Sequence, residues 1–356
     1  MNIEADRQFW YDASKSGRTR EVTIDRNRFL EDAARAYANN GVVHDDIRVD
    51  FVHEEGEDFD GLKREFFSVF WEKFLNKYGS GHTFRHFTIT PQNLPSVEMC
   101  VAAGRILIHG FFLTGYLPLT LDPCITFHLL TGRKPSNQAL TKGYLKSLGE
   151  VAEDAISSLR SVDTNYDAAQ RLLLLSHLHG ESITESPRNK EELEVLLQQL
   201  GQYNLFIKPH FILHNIGRSS SNNFTRNVGD DDWQKYLIGL LPTGDIIAET
   251  LTPMYGADTI LHQLEQSIFD HVERYVREMS PSKAQLFLRF VTGCEVSQPV
   301  IVIFNSEESE HGMLPKAHTC SCELELSRFT PDYDWLSTTM DNILSGSHTR
   351  SGFQFA

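Results

Sequence analysis

Apolar residues recur every three to four positions through most of the first two thirds of the chain, and this spacing predicts helices. The clearest stripe is Phe66, Phe67, Phe70, Trp71, Phe74 and Leu75, whose aromatic weight points to a buried helix. Just before it the period shortens to two: Ile47, Val49 and Phe51 alternate with polar residues over 46–53, as a half-buried strand does. A strand over Val22–Arg26 and a helix over Asn27–Tyr37, with Phe29, Leu30 and Ala33 inward, precede that alternation, and the polar residues 1–20 read as a loosely held lead-in. Glu54 to Gly61 is an acidic, glycine-bearing loop. Residues 97–131 predict two or three tightly packed helices, followed by helical patterns over Leu145–Leu159 and Ala168–Leu178. Ser186 to Asn189 breaks the pattern, and Lys190–Leu200 resumes it with leucines at 193, 196, 197 and 200. Ser219 to Asp232 is polar and predicts an exposed loop.

The pattern changes at Leu241-Pro242-Thr243-Gly244. Beyond this point helix and strand signals alternate. Leu261, Leu264, Ile268, Phe269, Val272 and Val276 form an amphipathic stripe, Ala284–Val291 a short helix ending near Gly293, and Val300–Phe304 a β-branched strand. Glu323–Ser327 alternates charged and apolar residues, and Thr330 with Pro331 predicts the cap of a last helix carrying Leu336, Met340, Ile343 and Leu344 inward. The expected architecture is α+β in two lobes: a mostly helical first lobe over 21–241 and a smaller α/β lobe over 242–356.

A chain of 356 residues is ample for a large core. With 33 basic and 48 acidic residues the net charge is −15, the wrong sign for a phosphate-backbone binder, and no basic stripe with interleaved aromatics stands out. Nucleic acid is therefore not an expected partner. Neither is a membrane: the most apolar stretch, Ile106–Leu119, is 14 residues long and interrupted by His109, Gly110, Gly115 and Pro118. Five cysteines without regular spacing suit free thiols in a reducing compartment, and the first residues lack the order of a signal peptide, so cytoplasm or nucleus is expected.

The candidate chemistry lies in Leu314-Pro315-Lys316-Ala317-His318-Thr319-Cys320. Thiols titrate near about 8.5 and are only a few per cent thiolate at neutral pH, a fraction that a neighbouring imidazolium or ammonium raises. If 318–320 were extended, His318 would share a side with Cys320, and Cys322 would continue that side into the strand as a buried small hydrophobe. A zinc site drawing on His311, His318, Cys320 and Cys322 is the rival use, but Cys-Ser-Cys is tighter than zinc pairs require, and no metal is expected. Phosphate-cradling, nucleophile-elbow and zinc-protease motifs are missing, so no cofactor is expected and any acyl group must arrive already activated.

Taken together, these segments resemble HECT-type ubiquitin ligases. Arg26 through Phe29-Leu30-Glu31-Asp32-Ala33 resembles that family's entry helix, and Phe51 to Gly56 with Asp60-Gly61-Leu62-Lys63-Arg64-Glu65-Phe66-Phe67 its acidic turn and first core helix. Gly104 to Gly132 resembles the central helices, Phe287 to Gly293 the segment before the last strands, and residues 314–320 the active-site loop. The resemblance implies that Cys320 accepts ubiquitin from a conjugating enzyme as a thioester and passes it to a lysine of a protein substrate. His318 and Thr319 would shape the loop, and Phe353, fourth from the end, sits where the family carries a phenylalanine needed for ligation. The conjugating enzyme would bind a subdomain at about 150–230, with Leu193 and Leu197 in one wall of its groove.

The chain departs from the family's pattern after Cys320, where Ser321-Cys322 replaces the usual phenylalanine-asparagine pair, after Gly293, and over 145–245. Two other functions are therefore weighed: a catalytically inactive HECT-like domain serving as a protein-interaction module, and a Cys-His hydrolase, which needs an acidic or amide partner for His318.

Overall fold

In a computed structural model the described residues are 3–54, 60–161, 187, 189–220, 225, 227–255, 259–306 and 313–346. The chain opens with helix α1 (Ile3–Ser14), where the sequence predicts a loose lead-in. Ile3, Arg7 and Tyr11 fall on one helical face and are buried, and Arg7 donates to the carbonyls of Phe111, at 3.1 Å, and Phe112. Polar composition hid this anchor because its key residue is an arginine.

Strands β1 (Thr19–Ile24) and β2 (Asp46–Phe51) pair in parallel with Val22 opposite Val49, and helix α2 (Phe29–Ala36) lies on the crossover between them. The inward residues named from periodicity, Phe29, Leu30, Ala33, Ile47, Val49 and Phe51, are all buried. Helix α3 (Gly61–Tyr78) carries the aromatic stripe at positions 66, 67, 70, 71, 74 and 75, none more than 1% exposed.

A short ladder of β3 (Gly79–Ser80) with β4 (His86–Phe87) leads to helices α4 (Val97–Thr114), α5 (Pro123–Thr131), α6 (Asn137–Leu148) and α7 (Glu150–Ser161). By length and composition α4 could cross a bilayer, but 61% of it is buried inside the protein, as in the core helix of a folded domain. The helix expected over 145–159 is two, parted at Gly149. Helix α8 (Lys190–Gln202), capped by Asn189, runs through a π turn at Tyr203–Ile207 toward α9 (His210–Ser220). The polar stretch 219–232 gives way to helix at both ends, in α9 and in α10 (Asp230–Gly239). The pattern at 168–178 lies outside the described residues.

Thr243 caps helix α11 (Gly244–Thr250), accepting from the Ile246 amide at 3.2 Å. The remainder comprises β5 (Leu251–Pro253), α12 (Thr259–Arg277), α13 (Pro281–Thr292), β6 (Val300–Asn305), β7 (Lys316–His318), β8 (Glu323–Ser327) and α14 (Tyr333–Ser345). The sheet order is β5-β6-β8-β7, with the first three strands parallel and the edge strand β7 antiparallel to β8. The cap of α14 is Asp332, which accepts from the Trp335 amide at 2.8 Å; the Thr330 hydroxyl instead donates to the Ser327 carbonyl.

The fold is thus α+β, and it packs as two compact units. Residues 71–108 and 120–234 form one, in which α6 lies against α7 and α8, and α5 against α9. The other draws on 2–70, 109–119 and 235–356. Here Ile247, Val276, Phe287, Leu288, Val300, Val302 and Leu326 make a core with no exposed surface. The same unit holds β1, β2 and the first ten residues of α3.

Candidate active site

Cys320 lies in the four-residue turn 319–322 that joins β7 to β8, closed by the pairing of His318 with Glu323. The extended conformation expected over 318–322 therefore stops at His318. Cys322 has φ 57°, a left-handed backbone that side-chain-bearing residues other than Asn and Asp rarely adopt. Such a residue is how a short hairpin turn reverses the chain. The alternation that would put Cys320 and Cys322 on one side with Leu324 and Leu326 is lost at this turn. Cys322 is half-buried instead of sealed in the core, with its amide oxygen accepting from Ile301 at 3.0 Å.

Burial sorts the five thiols. Cys100, Cys124 and Cys294 are buried, whereas Cys320 and Cys322 are half-buried. Desolvation pushes Cys100 up to about 12 and Cys294 to about 11, and raises Cys124 further with help from the neighbouring Asp122 carboxylate. Burial also raises the Cys322 thiol, against the lowering effect of Arg64. A thiol held above neutrality and out of solvent is a poor nucleophile. The two thiols of the turn, Cys320 and Cys322, are the less buried of the five.

The histidine turns to an acidic neighbour. Nε2 of His318 and Oε2 of Glu325 lie 2.6 Å apart, and Asn305 donates to the other Glu325 oxygen at 2.5 Å. Partial burial would raise the Glu325 carboxyl, but the hydrogen bonds from Asn305 and His318 outweigh it and hold the group below its ordinary value. No hydrogen bond joins His318 to the Cys320 sulfur among the described residues. His318 thus bridges the two strands of the hairpin stem. Thr319 is 2% exposed, packed under the turn.

Helix α3 reaches the same turn from below. The Arg64 guanidinium, itself buried, donates from Nε to the Thr292 carbonyl at 2.7 Å and from Nη2 to the carbonyls of Thr319 at 2.5 Å and Cys320 at 3.4 Å. At Gly61 a Cβ would stand 2.6 Å from the Thr319 hydroxyl and 3.1 Å from the Cys320 amide nitrogen, so only glycine allows this approach. One turn further along α3, Ser68 donates to Glu295 at 2.5 Å and accepts from Arg289 at 3.0 Å. Nothing in the local sequence ties Gly61 or Arg64 to the cysteine. The only signal was a glycine and a cation heading a strongly aromatic helix.

Leu193 and Leu197 are 1% and 0% exposed on the inner face of α8, while Val195 of the same helix is 52% exposed. Phe353 and His311 lie outside the described residues. Among the described residues no group of three or more His, Cys, Asp and Glu is arranged to hold a metal ion.

The cysteine-bearing part of the chain has a counterpart among known families. Residues 254–355 match the family model described as HECT-domain (ubiquitin-transferase). The segment that follows β5 is thus consistent with a HECT-type domain, and it contains both hairpin strands and Cys320. No curated protein matches the chain. The matched segment is thus similar to HECT domains, which work with ubiquitin, conjugating enzymes and protein substrates.

Proposed function

We propose that the chain transfers ubiquitin through a thioester on Cys320. The observation that carries this reading is the half-buried cysteine in the β7–β8 turn, inside the segment that matches the HECT family. The Cys320 sulfur, after losing its proton to solvent, attacks the carbonyl carbon of ubiquitin's C-terminal thioester on the conjugating enzyme. The bond from that carbon to the enzyme's cysteine breaks, and the departing thiolate takes up a proton. The exchange replaces one thioester by another and is nearly isoenergetic, so a competent thiolate and correct placement suffice. The amine of a substrate lysine then attacks the new thioester, loses a proton and expels Cys320 as a thiolate. This step ends in an amide and runs downhill without a nucleotide.

In this reading His318 and Thr319 hold the turn, and Phe353 serves the ligation step. The conjugating enzyme settles on the subdomain at about 150–230, where Leu193 and Leu197 brace helix α8 from its buried side and Val195 faces outward. The setting is cytoplasm or nucleus.

The test is to mix the chain with a ubiquitin-loaded conjugating enzyme and resolve the products without reductant. An adduct of chain and ubiquitin that disappears with thiol and fails to form with Cys320→Ala supports the reading. No adduct with the wild type, or one that persists in Cys320→Ala, overturns it.

A further inference from the structure

We infer that Arg64 is a positioning residue for the Cys320 thiol: its guanidinium gathers the carbonyls of Thr292, Thr319 and Cys320 and fixes the backbone of the turn that presents the sulfur. The inference deepens the proposed thioester function and rests on it.

A buried cation is costly unless its donors are satisfied, and among the described residues Arg64 meets no carboxylate within ion-pair distance. Its partners are instead carbonyl oxygens from two separate segments, the end of α13 and the hairpin turn. The planar guanidinium fork reaches both at once, Nε toward Thr292 and Nη2 toward Thr319 and Cys320. A lysine at this position keeps the charge but has a single point of attachment. The turn itself needs such a clamp, because Thr319 is 2% exposed and its carbonyl requires a partner away from water. Gly61 sets the same distance from the other side, since its missing Cβ leaves room for the Thr319 hydroxyl. Among the described residues, charged or titratable groups near this cluster include Asp60 just before α3, Cys294 and Glu295 after α13, Cys322 in the turn and Glu323 after it.

The experiment uses the full chain with Arg64→Lys, Arg64→Gln and Gly61→Ala. Three quantities are read: alkylation of Cys320 by iodoacetamide at neutral pH, with the adduct located by mass spectrometry; the rate of thioester formation against loaded-carrier concentration; and the thermal midpoint. Misplacement of a reacting atom by about 1 Å costs up to about a hundredfold in rate. The expected result is a saturating thioester rate lowered about tenfold or more with the half-saturating carrier concentration unchanged, and slower alkylation, in variants that still unfold cooperatively. Folded Arg64→Lys and Arg64→Gln with wild-type alkylation and a wild-type saturating rate would overturn the inference. Should both Arg64 variants fail to fold, Gly61→Ala decides, because it displaces the turn and leaves the guanidinium in place. Alkylation needs no ubiquitin: if the wild type forms no thioester while Arg64→Lys still slows alkylation, the function fails and the positioning role stands.

Discussion

His318 and Glu325 are joined side chain to side chain at 2.6 Å, one residue from each strand of the hairpin that carries Cys320. The contact occupies Nε2, and among the described residues no hydrogen bond joins His318 to the Cys320 sulfur, so in this account the pair holds the stem and the sulfur acts without it. An obligatory general base would be worth about 10²–10⁴ in rate. His318→Ala is therefore expected to slow thioester formation by less than about tenfold, measured in single-turnover transfer from a loaded carrier. A loss of about a thousandfold would mean that His318 takes the proton after all.

The same pair gives an acid dependence. Glu325 has a depressed carboxyl, so its contribution to stability is present above the ordinary carboxylate range and is lost as the pH falls through its folded value. The difference in thermal midpoint between wild type and Glu325→Gln should be largest at neutral pH and shrink in acid. A gap that stays constant from pH 7 to the acid limit would remove the carboxylate from the hairpin's stability.

Cys322 occupies a left-handed conformation, φ 57°, where the family's usual asparagine is at ease and a cysteine is strained. Cys322→Asn and Cys322→Gly should each stabilise the chain by about 1 kcal/mol, a gain that chemical denaturation can measure. Unchanged or lowered stability in both variants would show that the Cys322 side chain contributes more than its backbone costs.

Asp122 caps α5 with no exposed surface, and one of its carboxylate oxygens finds no hydrogen-bond partner among the described residues. Desolvation raises its pKa to about 6, against the lowering bonds from the amide and thiol of Cys124 and the amide of Ile125. The folded state thus holds the proton more tightly than the unfolded chain. The resulting stability is complete below the unfolded value and disappears as the pH rises through about 6. Asp122→Asn keeps a capping oxygen and removes the buried charge. It should raise stability by about 1–3 kcal/mol at pH 7.5 and by little at pH 4, as read from denaturant titrations at the two pH values. An equal effect at both would contradict the raised carboxyl.

Where one periodicity governed a segment, the sequence was a reliable guide. The stripe from Phe66 to Leu75, the alternation at Ile47, Val49 and Phe51, and the strand at Val300 all hold because their apolar residues are the ones the fold buries. Short-range pattern failed where a polar residue was the anchor. Arg7 pins α1 through two carbonyls 104 and 105 positions away, and Arg64 reaches the cysteine turn across 255. No local window contains both ends of such a bond. The turn at 319–322 was misjudged for a related reason: alternation extrapolated from Leu324 and Leu326 cannot register a left-handed residue at Cys322. At the candidate site, Cys320 and His318 stand out from residue types, whereas the contacts of Glu325, Gly61 and Arg64 required the folded arrangement.

The nature of the bond formed with ubiquitin tests the central claim most directly. Wild type and Cys320→Ser are each mixed with a loaded conjugating enzyme, and the adducts are treated separately with thiol and with mild alkali. A thioester on Cys320 predicts a wild-type adduct cleaved by both. A Cys320→Ser adduct, where it forms, would be an ester that resists thiol and yields to alkali. A wild-type adduct that survives thiol, or a Cys320→Ser adduct that thiol still cleaves, would contradict the account.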